Sequence, residues 1–285
     1  MSIHSFAFAR VSFANPNTSY FCNLEVPNLE GISLSTDAKA TGMVKQEGTI
    51  KGYLCISSTT TFPENSYQGD IKIAESVKLS ENLKIEGQLF INSILYLEAK
   101  ELEVTGKVTA GGGMTLYFNH GHLKCKSMEM QNSYAMYMQY DDDRLSIRED
   151  FIVYFRYGSR AKGKITVGGD VTFVNSVVME ETLFLELNGD REQTITMSGS
   201  DRCFGTLILN NTSAEGIYIS DELNYKKLEN TAGTKVTFSD GGVLGYTLNQ
   251  DEIIEGDFLL SGGDMDLNGH NLTVKGDFIQ KGGTL

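Results

Sequence analysis

Leu267-Asn-Gly-His-Asn-Leu-Thr-Val-Lys-Gly-Asp-Phe-Ile-Gln-Lys-Gly-Gly-Thr-Leu285 is the stretch that decides the fold, because much of it recurs 20 residues earlier. Glu252-Ile-Ile-Glu-Gly-Asp-Phe258 and Leu272-Thr-Val-Lys-Gly-Asp-Phe278 align position by position, and a Gly-Gly pair follows each of them. Apolar and polar residues alternate in these segments. This is the period-2 signature of a strand with one buried face.

Five further copies lie upstream of this pair, at less regular intervals. Their first residues, separated by 19, 21, 22 and 20 positions, are Leu83, Leu102, Leu123, Leu145 and Ile165. Strand-like runs at 183–187, 205–209, 216–220 and 235–238 fill the gap that remains before the last pair. Gly, Asn and Asp interrupt the alternation and supply the positive φ angles that tight corners need.

The length of the repeat selects the architecture. A hairpin meander would show two-residue turns between strands of equal length, and a propeller repeat is about twice as long as this one. A unit of about 20 residues with two or three short strands matches one coil of a solenoid stacked in parallel on the next. We therefore predict an all-β fold, a single-stranded right-handed parallel β-helix, with a β-sandwich or propeller as the alternative.

The regularity of the repeat varies along the chain and indicates how it is organised. Residues 1–45 predict an atypical N-terminal cap, because the open end of a solenoid exposes unpaired backbone. Residues 46–182 predict irregular coils, in which a period-2 stripe from Met128 to Tyr140 is expected to be core. Residues 183–285 predict regular coils without a C-terminal cap. We expect the C-terminal end to be covered by a downstream domain of the same polypeptide, by a second copy or by a partner subunit.

Composition and charge restrict the partners and the location. The net charge of −13 makes nucleic acid an unfavourable partner. Four widely separated cysteines predict small buried residues and not a zinc ribbon or a disulfide framework. The sequence shows no ordinary signal peptide and no run of 18 apolar residues, so no membrane insertion is predicted. We expect secretion or surface display by a non-classical route, with a cytoplasmic location as the alternative.

The repeat resembles a known family. Residues 267–285 are similar to the L-N-G-x-x-L-x-V-x-G-[DN]-[FL]-x-Q-x-G-G-T-L units of bacterial surface and polymorphic-toxin proteins. Arg191-Glu-Gln-Thr-Ile-Thr196 followed by Phe204-Gly-Thr-Leu-Ile-Leu-Asn-Asn211 resembles the E-Q-T-I…F-x-x-L-x-x-N-N linker of the same proteins. The resemblance is strong over 183–285 and partial over 45–182. It implies a β-helical scaffold whose activities lie in other domains.

Three consecutive aspartates form the densest group of carboxylates in the sequence. Asp141, Asp142 and Asp143 follow His120 and His122 by about one coil, so stacked coils would bring these groups together. Hydrolysis of a polysaccharide needs two carboxylates that face one cleft. The order of the groups here is the reverse of the order in pectinase-like β-helix enzymes. We therefore expect a solvated acidic corner and no catalytic residues.

No metal site and no cofactor are predicted. His120 and His122 stand at i and i+2 on one side of a strand, but a compelling third ligand is missing. Gly262-Gly-Asp-Met-Asp266 is a single imperfect copy of a calcium-binding nonapeptide that works only in stacked copies. The histidines are expected to be exposed turn residues.

The functional prediction is a non-enzymatic β-helical scaffold module of a larger bacterial surface or polymorphic-toxin protein, which presents or encloses other domains. One alternative is a carbohydrate-binding adhesin, with glycan as its partner. The other is a carbohydrate-active enzyme that uses the three aspartates. The candidate ligand-binding residues are Tyr134, Tyr154, Tyr157, Asp141, Asp142 and Asp143.

Overall fold

The computed structural model describes residues 10–11, 20–21, 23–26, 32–34, 37–111, 113–131, 136–154, 157–159, 161–175, 177–179, 182–198, 202–220, 225–230 and 232–285. These ranges contain strands, turns and bends but no helix, and hence no helix that could cross a membrane. Stacked parallel strands recur about 20 residues apart and form a β-solenoid of about 11 turns along the described residues. The predicted all-β solenoid is confirmed.

The chain divides into two compact units, Met1–Arg148 with Ala161–Gly163 and Glu149–Arg160 with Lys164–Leu285. The strands of the first unit are β1 (Arg10–Val11), β2 (Tyr20–Phe21), β3 (Leu24–Val26), β4 (Ile32–Leu34), β5 (Ala38–Ala40), β6 (Val44–Gln46), β7 (Ile50–Ile56), β8 (Ser66–Ile73), β9 (Val77–Lys78), β10 (Leu83–Glu86), β11 (Leu89–Ile91), β12 (Ile94–Tyr96), β13 (Glu101–Ala110), β14 (Thr115–Tyr117), β15 (His122–Met130), β16 (Met136–Tyr137) and β17 (Arg144–Ile147). The predicted boundaries at residues 45 and 182 stay predictions.

Three walls are built from these strands by parallel pairing. The first wall contains β10, the beginnings of β13 and β15, and β17, and the second contains β11 and the ends of β13 and β15. The third wall is the sheet β9-β12-β14-β16. On the first wall Leu83 pairs with Leu102, Leu102 with Leu123, and Leu123 with Leu145. On the first wall, the register therefore agrees with the predicted alignment of the repeats.

The register differs from the sequence alignment on the second wall. A register shift between Val104 and Lys107 places Val108 opposite Met128, whereas the alignment of the repeats places it opposite Glu129. The shift keeps an apolar side chain in the core, where Met128 is 1 % exposed. A slip of one residue would turn the charged glutamate inward.

The second unit is built from the same kind of stack. Its strands, with β20 counted here, are β18 (Phe151–Val153), β19 (Tyr157–Ser159), β20 (Gly163–Val167), β21 (Val171–Phe173), β22 (Val177–Met179), β23 (Leu183–Leu187), β24 (Gln193–Met197), β25 (Arg202–Leu209), β26 (Ile217–Ile219), β27 (Tyr225–Glu229), β28 (Val236–Phe238), β29 (Gly242–Leu244), β30 (Glu252–Ile254), β31 (Phe258–Gly262), β32 (Leu272–Val274) and β33 (Phe278–Gln280). The predicted strand-like runs between 183 and 238 fall on β23, β25, β26 and β28.

One pairing among the described strands of this unit is antiparallel. Strands β28 and β29 form a hairpin in which Val236 lies opposite Leu244. Gly241 occupies the turn with a φ of 80° and donates its N–H to the carbonyl of Phe238 at 2.9 Å. Parallel stacking resumes with β29 on β31 and β30 on β32. The expected run of parallel coils is therefore interrupted by this hairpin.

Alternating apolar side chains fill the interior of both units. Phe151, Phe173 and Phe204 form an edge-to-face column in the second unit, with ring centroids 6.0 and 5.8 Å apart. In the first unit the methionines of the predicted stripe that are described, from Met128 to Met138, are buried, which confirms them as core. Tyr140 is 41 % exposed, so its assignment to the core was wrong. It stands at a corner where the alternation of the strand has ended.

A buried amide cluster explains the E-Q-T-I…N-N motif. Gln193 is fully buried, and its Nε2 donates to the carbonyls of Val167 at 3.0 Å and Gly169 at 2.6 Å. Its Oε1 accepts the N–H of Gly189 at 2.8 Å and the Nδ2 of Asn211 at 3.0 Å. The cluster satisfies backbone groups of adjacent coils that would otherwise be buried without partners. The side-chain amide of Asn211 also donates to the carbonyl of Arg191 at 2.7 Å.

The aspartate of the repeat links successive coils in the same way. The carboxylate of Asp150 accepts the N–H of Asp170 at 2.9 Å, and Asp170 accepts the N–H of Thr194 at 2.8 Å. Asp257 accepts the N–H of Asp277 at 2.8 Å. A carboxylate at this position thus fixes the backbone of the coil that follows it.

Candidate functional site

The three predicted aspartates lie at a corner of the first unit, between β16 and β17. The corner one coil earlier contains Asn119 and His120, whose φ angles of 46° and 68° lie in the left-handed region. Non-glycine residues adopt this region rarely, and asparagine and histidine are among those that do. The two corners stack, which brings His120 beside the aspartates as the sequence predicted.

Asp143 is a structural residue of this corner. Its side chain is buried, with 0 % of the residue exposed. Its carboxylate accepts backbone N–H groups from His120 at 2.7 Å, Gln139 at 2.6 Å and Tyr140 at 3.0 Å. The prediction of a solvated acidic corner is therefore wrong for Asp143, because the turn needs an acceptor for three backbone donors. This residue is not available to an external ligand.

Asp142 and Asp141 are exposed and have different partners. Both carboxylate oxygens of Asp142 lie within hydrogen-bond distance of His120 Nδ1, at 2.9 and 3.0 Å. The His120 ring also stacks on Tyr140, with centroids 3.7 Å apart. The carboxylate of Asp141 lies 3.8 Å from Lys162 Nζ. The exposed part of the corner is thus a small group of paired polar side chains.

His122 belongs to a different environment from His120. It lies in β15, where its Nε2 is 2.9 Å from Ser146 Oγ and its Nδ1 is 3.7 Å from Glu101. Burial lowers the pKa of His122, and the nearby Lys124 adds to this effect. No group of three or more His, Cys, Asp or Glu side chains in the described ranges is placed to hold a metal ion.

A column of tyrosines beside this corner was missed by the sequence analysis. Tyr96, Tyr117 and Tyr137 occupy one position on the third wall in successive coils. Their rings are 4.7 Å apart in each step, with interplanar angles of 5° and 7°. The spacings of 21 and 20 residues along the sequence were the signal that could have found them.

The stacking limits what the tyrosine column can bind. A sugar ring packs against the face of an aromatic ring, but each face between two stacked rings is already in contact with its neighbour. The middle ring, Tyr117, therefore offers mainly its edge and its hydroxyl. Stacked aromatic pairs contribute about 0.5–1.5 kcal/mol beyond the area that they bury. We interpret the column as a support for the third wall.

The aromatic residues predicted to bind a ligand lie in the second unit or outside the described residues, so a shared site with the aspartates stays a prediction. Tyr134 lies outside the described residues. Tyr154 is 45 % exposed and belongs to the second unit, where its carbonyl accepts from Asn175 Nδ2 at 2.7 Å. Tyr157 also belongs to the second unit, and its backbone pairs with Val177. The aspartates belong to the first unit.

The segment that resembles a calcium-binding nonapeptide has a structural role, and the described cysteines are buried or half-buried. Asp264 accepts the hydroxyl of Thr284 at 2.5 Å, Asp266 accepts the N–H of Asn268 at 2.8 Å, and Met265 between them is buried. Cys125 is buried as predicted, and burial raises the pKa of its thiol to about 12. Cys55 and Cys203 are half-buried, and Cys22 lies outside the described residues.

Together the fold and these side chains define the class of the protein as an all-β solenoid in which the polar residues described above hold adjacent coils together. No family model, no curated protein and no solved structure matches the chain.

Proposed function

We propose that the chain is a non-enzymatic scaffold module of a larger bacterial surface or polymorphic-toxin protein. The observation that carries this proposal is the use of its polar side chains. Three polar residues from the motifs considered above bind backbone groups of their own chain. Asp143 belongs to the candidate site, and Gln193 and Asp257 belong to the motifs that resemble the known family. A solenoid built in this way is a rigid support. The resemblance of its repeats to those of surface and toxin proteins supplies the context.

The adhesin and enzyme alternatives gain no specific support from the geometry. A retaining or inverting hydrolase needs two carboxylates across a cleft, about 5 or 6.5–9.5 Å apart. Asp143 is engaged by three backbone donors and Asp142 by His120. The ring faces between stacked tyrosines of the column are covered by their neighbours. We therefore place the module's contribution in its shape and in the domains it carries.

The proposal is tested in the organism that encodes the chain. An antibody against the recombinant 285-residue chain is applied to intact cells, to culture medium and to lysates. We expect a reactive polypeptide much larger than this chain, removed from intact cells by external protease or present in the medium. A soluble cytoplasmic product of the size of this chain would contradict the proposal.

A glycan array with the purified chain addresses the alternatives separately. Specific binding that is lost in Tyr154→Ala would favour the adhesin. Turnover of a polysaccharide that is lost in Asp142→Asn would favour the enzyme.

A further inference from the structure

The last two coils of the second unit form a small core of their own. This part begins with β29, the second strand of the antiparallel hairpin, which pairs in parallel with β31. Its buried residues pack against four apolar residues that are only partly buried, namely Ile254, Leu267, Leu272 and Val274. The two last named lie on β32. This core is therefore less completely covered on the side of β32 and β33.

Equivalent positions in the two coils differ sharply in exposure. Phe258 is 3 % exposed, whereas Phe278, directly opposite it in the register, is 41 % exposed. The two rings stack with centroids 5.5 Å apart. Met265 is 3 % exposed and Leu285, one coil later, is 58 % exposed. The positions that carry the core in one coil thus face solvent in the next.

Polar links between these coils also repeat with the same spacing. Asp251 accepts the N–H of Asn271 at 2.9 Å, and Glu255 pairs with Lys275 Nζ at 2.9 Å. Asp257 accepts the N–H of Asp277 at 2.8 Å. Asp277 is the equivalent of Asp257 one coil later. Its carboxylate is therefore placed to accept a backbone N–H from a following coil, as the carboxylate of Asp257 does from Asp277.

Backbone N–H groups of the earlier coil donate to the later coil. Glu252 and Phe258 donate their N–H groups to the carbonyls of Asn271 at 2.9 Å and Asp277 at 2.8 Å in the following coil. Leu272 and Phe278 are their register equivalents, and so their N–H groups point away from the preceding coil. Unpaired strand groups of this kind are a template for an added strand.

We infer that this side of β32 and β33 binds one further parallel coil with the same apolar-x-apolar-x-Gly-Asp-aromatic pattern. Its aromatic ring stacks on Phe278, a backbone N–H binds Asp277, and a carboxylate pairs with Lys275. This inference rests on the proposed scaffold function and names the chemistry of the partner that the scaffold takes at this surface. The occupant is a coil of the same repeat, because the ring stack, the bond from a backbone N–H to the aspartate and the lysine–carboxylate pair between the two existing coils are then formed again.

The test extends the full chain after Leu285 by a second copy of residues 246–265. This copy continues the register and places a glutamate opposite Lys275, as Glu255 is now. Residue-resolved amide hydrogen exchange is measured for the chain, for the extended chain and for a control with the same 20 added residues in scrambled order. The control has the same length and composition.

The extension is expected to slow exchange at Leu272 and Phe278 about tenfold or more, because their N–H groups gain partners. Lys275 and Lys281 are internal controls, since they already donate to the preceding coil at 2.9 and 2.8 Å. Equal protection by the scrambled extension, or none by the ordered one, would overturn the inference. So would protection of the same amides in the unextended chain that grows with protein concentration, because the occupant would then be a second copy.

The result of the antibody experiment does not depend on the backbone N–H groups of Leu272 and Phe278, so the two proposals can fail separately. A cytoplasmic product would refute the surface or toxin role and leave the exchange result standing. A failed extension would remove the added coil and leave the scaffold proposal standing.

Discussion

Tyr67 lies in the core of the first unit, and its hydroxyl is buried without a hydrogen-bond partner among the described residues. A buried polar group that lacks a partner costs about 1–3 kcal/mol. We therefore predict that Tyr67→Phe raises the free energy of unfolding by about 1 kcal/mol, because the phenyl ring stays and the unpaired group is removed. The measurement is urea denaturation of the purified chain.

Tyr246→Phe is the matched control for this substitution. Tyr246 is also buried, but its hydroxyl donates to Glu252. Removal of that hydroxyl leaves a carboxylate without its donor and is expected to lower the free energy of unfolding by about 1–2 kcal/mol. If both variants lost stability equally, the Tyr67 hydroxyl would have to be paired in solution.

Asp143 and Asp142 stand next to each other and are expected to respond very differently to truncation. Asp143→Ala leaves three backbone N–H groups without an acceptor and should lower the free energy of unfolding by about 2–4 kcal/mol. Asp142→Ala removes an exposed pair with His120 and should cost less than about 1 kcal/mol. Denaturation curves of the two variants are compared under the same conditions. Similar losses would show that the exposed pair also holds the corner.

His122 makes the contact between β15 and its neighbouring strands dependent on pH. Burial lowers its pKa below the ordinary value of 6.5, with Lys124 and Arg144 adding to the effect and Glu101 opposing it. The unfolded chain therefore binds the proton first as the pH falls, and stability is lost from about pH 6.5 downward. We predict that the unfolding midpoint falls less between pH 7 and pH 5 in His122→Gln than in the unchanged chain.

His120→Gln is the control for this pH series, because His120 lies at the exposed corner outside β15. Urea midpoints are measured at several pH values in one buffer system of constant ionic strength. A wild-type profile that stays parallel to that of His122→Gln would contradict the assignment. The test does not depend on the absolute stability of either variant.

Individual strands and much of their register were predictable from the sequence, and the tyrosine column that was missed also left a spacing of about one coil. Alternation of apolar residues predicted β10, β13, β15 and β17, and the leucine that begins each repeat lies in register with the next. The shift between Val104 and Lys107 was not predictable, because a shift depends on which side chains the core can accept. The antiparallel hairpin at Gly241 was not predicted, because a glycine indicates a turn without fixing the direction of the strand that follows it.

The candidate site was predicted less well than the strands. Proximity of His120 to the aspartates followed from their spacing of about one coil. The burial of Asp143 did not follow, because charged residues in a turn are usually solvated. Whether a carboxylate points outward or into the turn depends on how many backbone donors the neighbouring corner leaves unpaired. That number is a property of the folded corners and not of the local sequence.

Within the first unit, each coil contacts mainly the coils before and after it, so stability should be roughly a sum over coils and their interfaces. Leu102 lies opposite Leu83, and Val108 lies opposite Leu89, in adjacent coils. Deletion of Leu83–Glu101 removes 19 residues and moves β13 into the place of β10 and β11 on β8. We predict that this variant keeps its β-sheet circular dichroism and cooperative unfolding and loses about 1–3 kcal/mol.

A deletion of half a coil is the decisive comparison. Removal of Leu83–Asn92 joins β9 almost directly to β12, although both strands belong to the third wall. The chain would then return to this wall without crossing the other two, and later strands would lose their register partners. We expect this variant to be digested rapidly by a protease under conditions in which the 19-residue deletion is resistant. If the shorter deletion were the better tolerated one, the coil would not be the unit that stabilises the fold, because the number of residues removed would then matter more than the register.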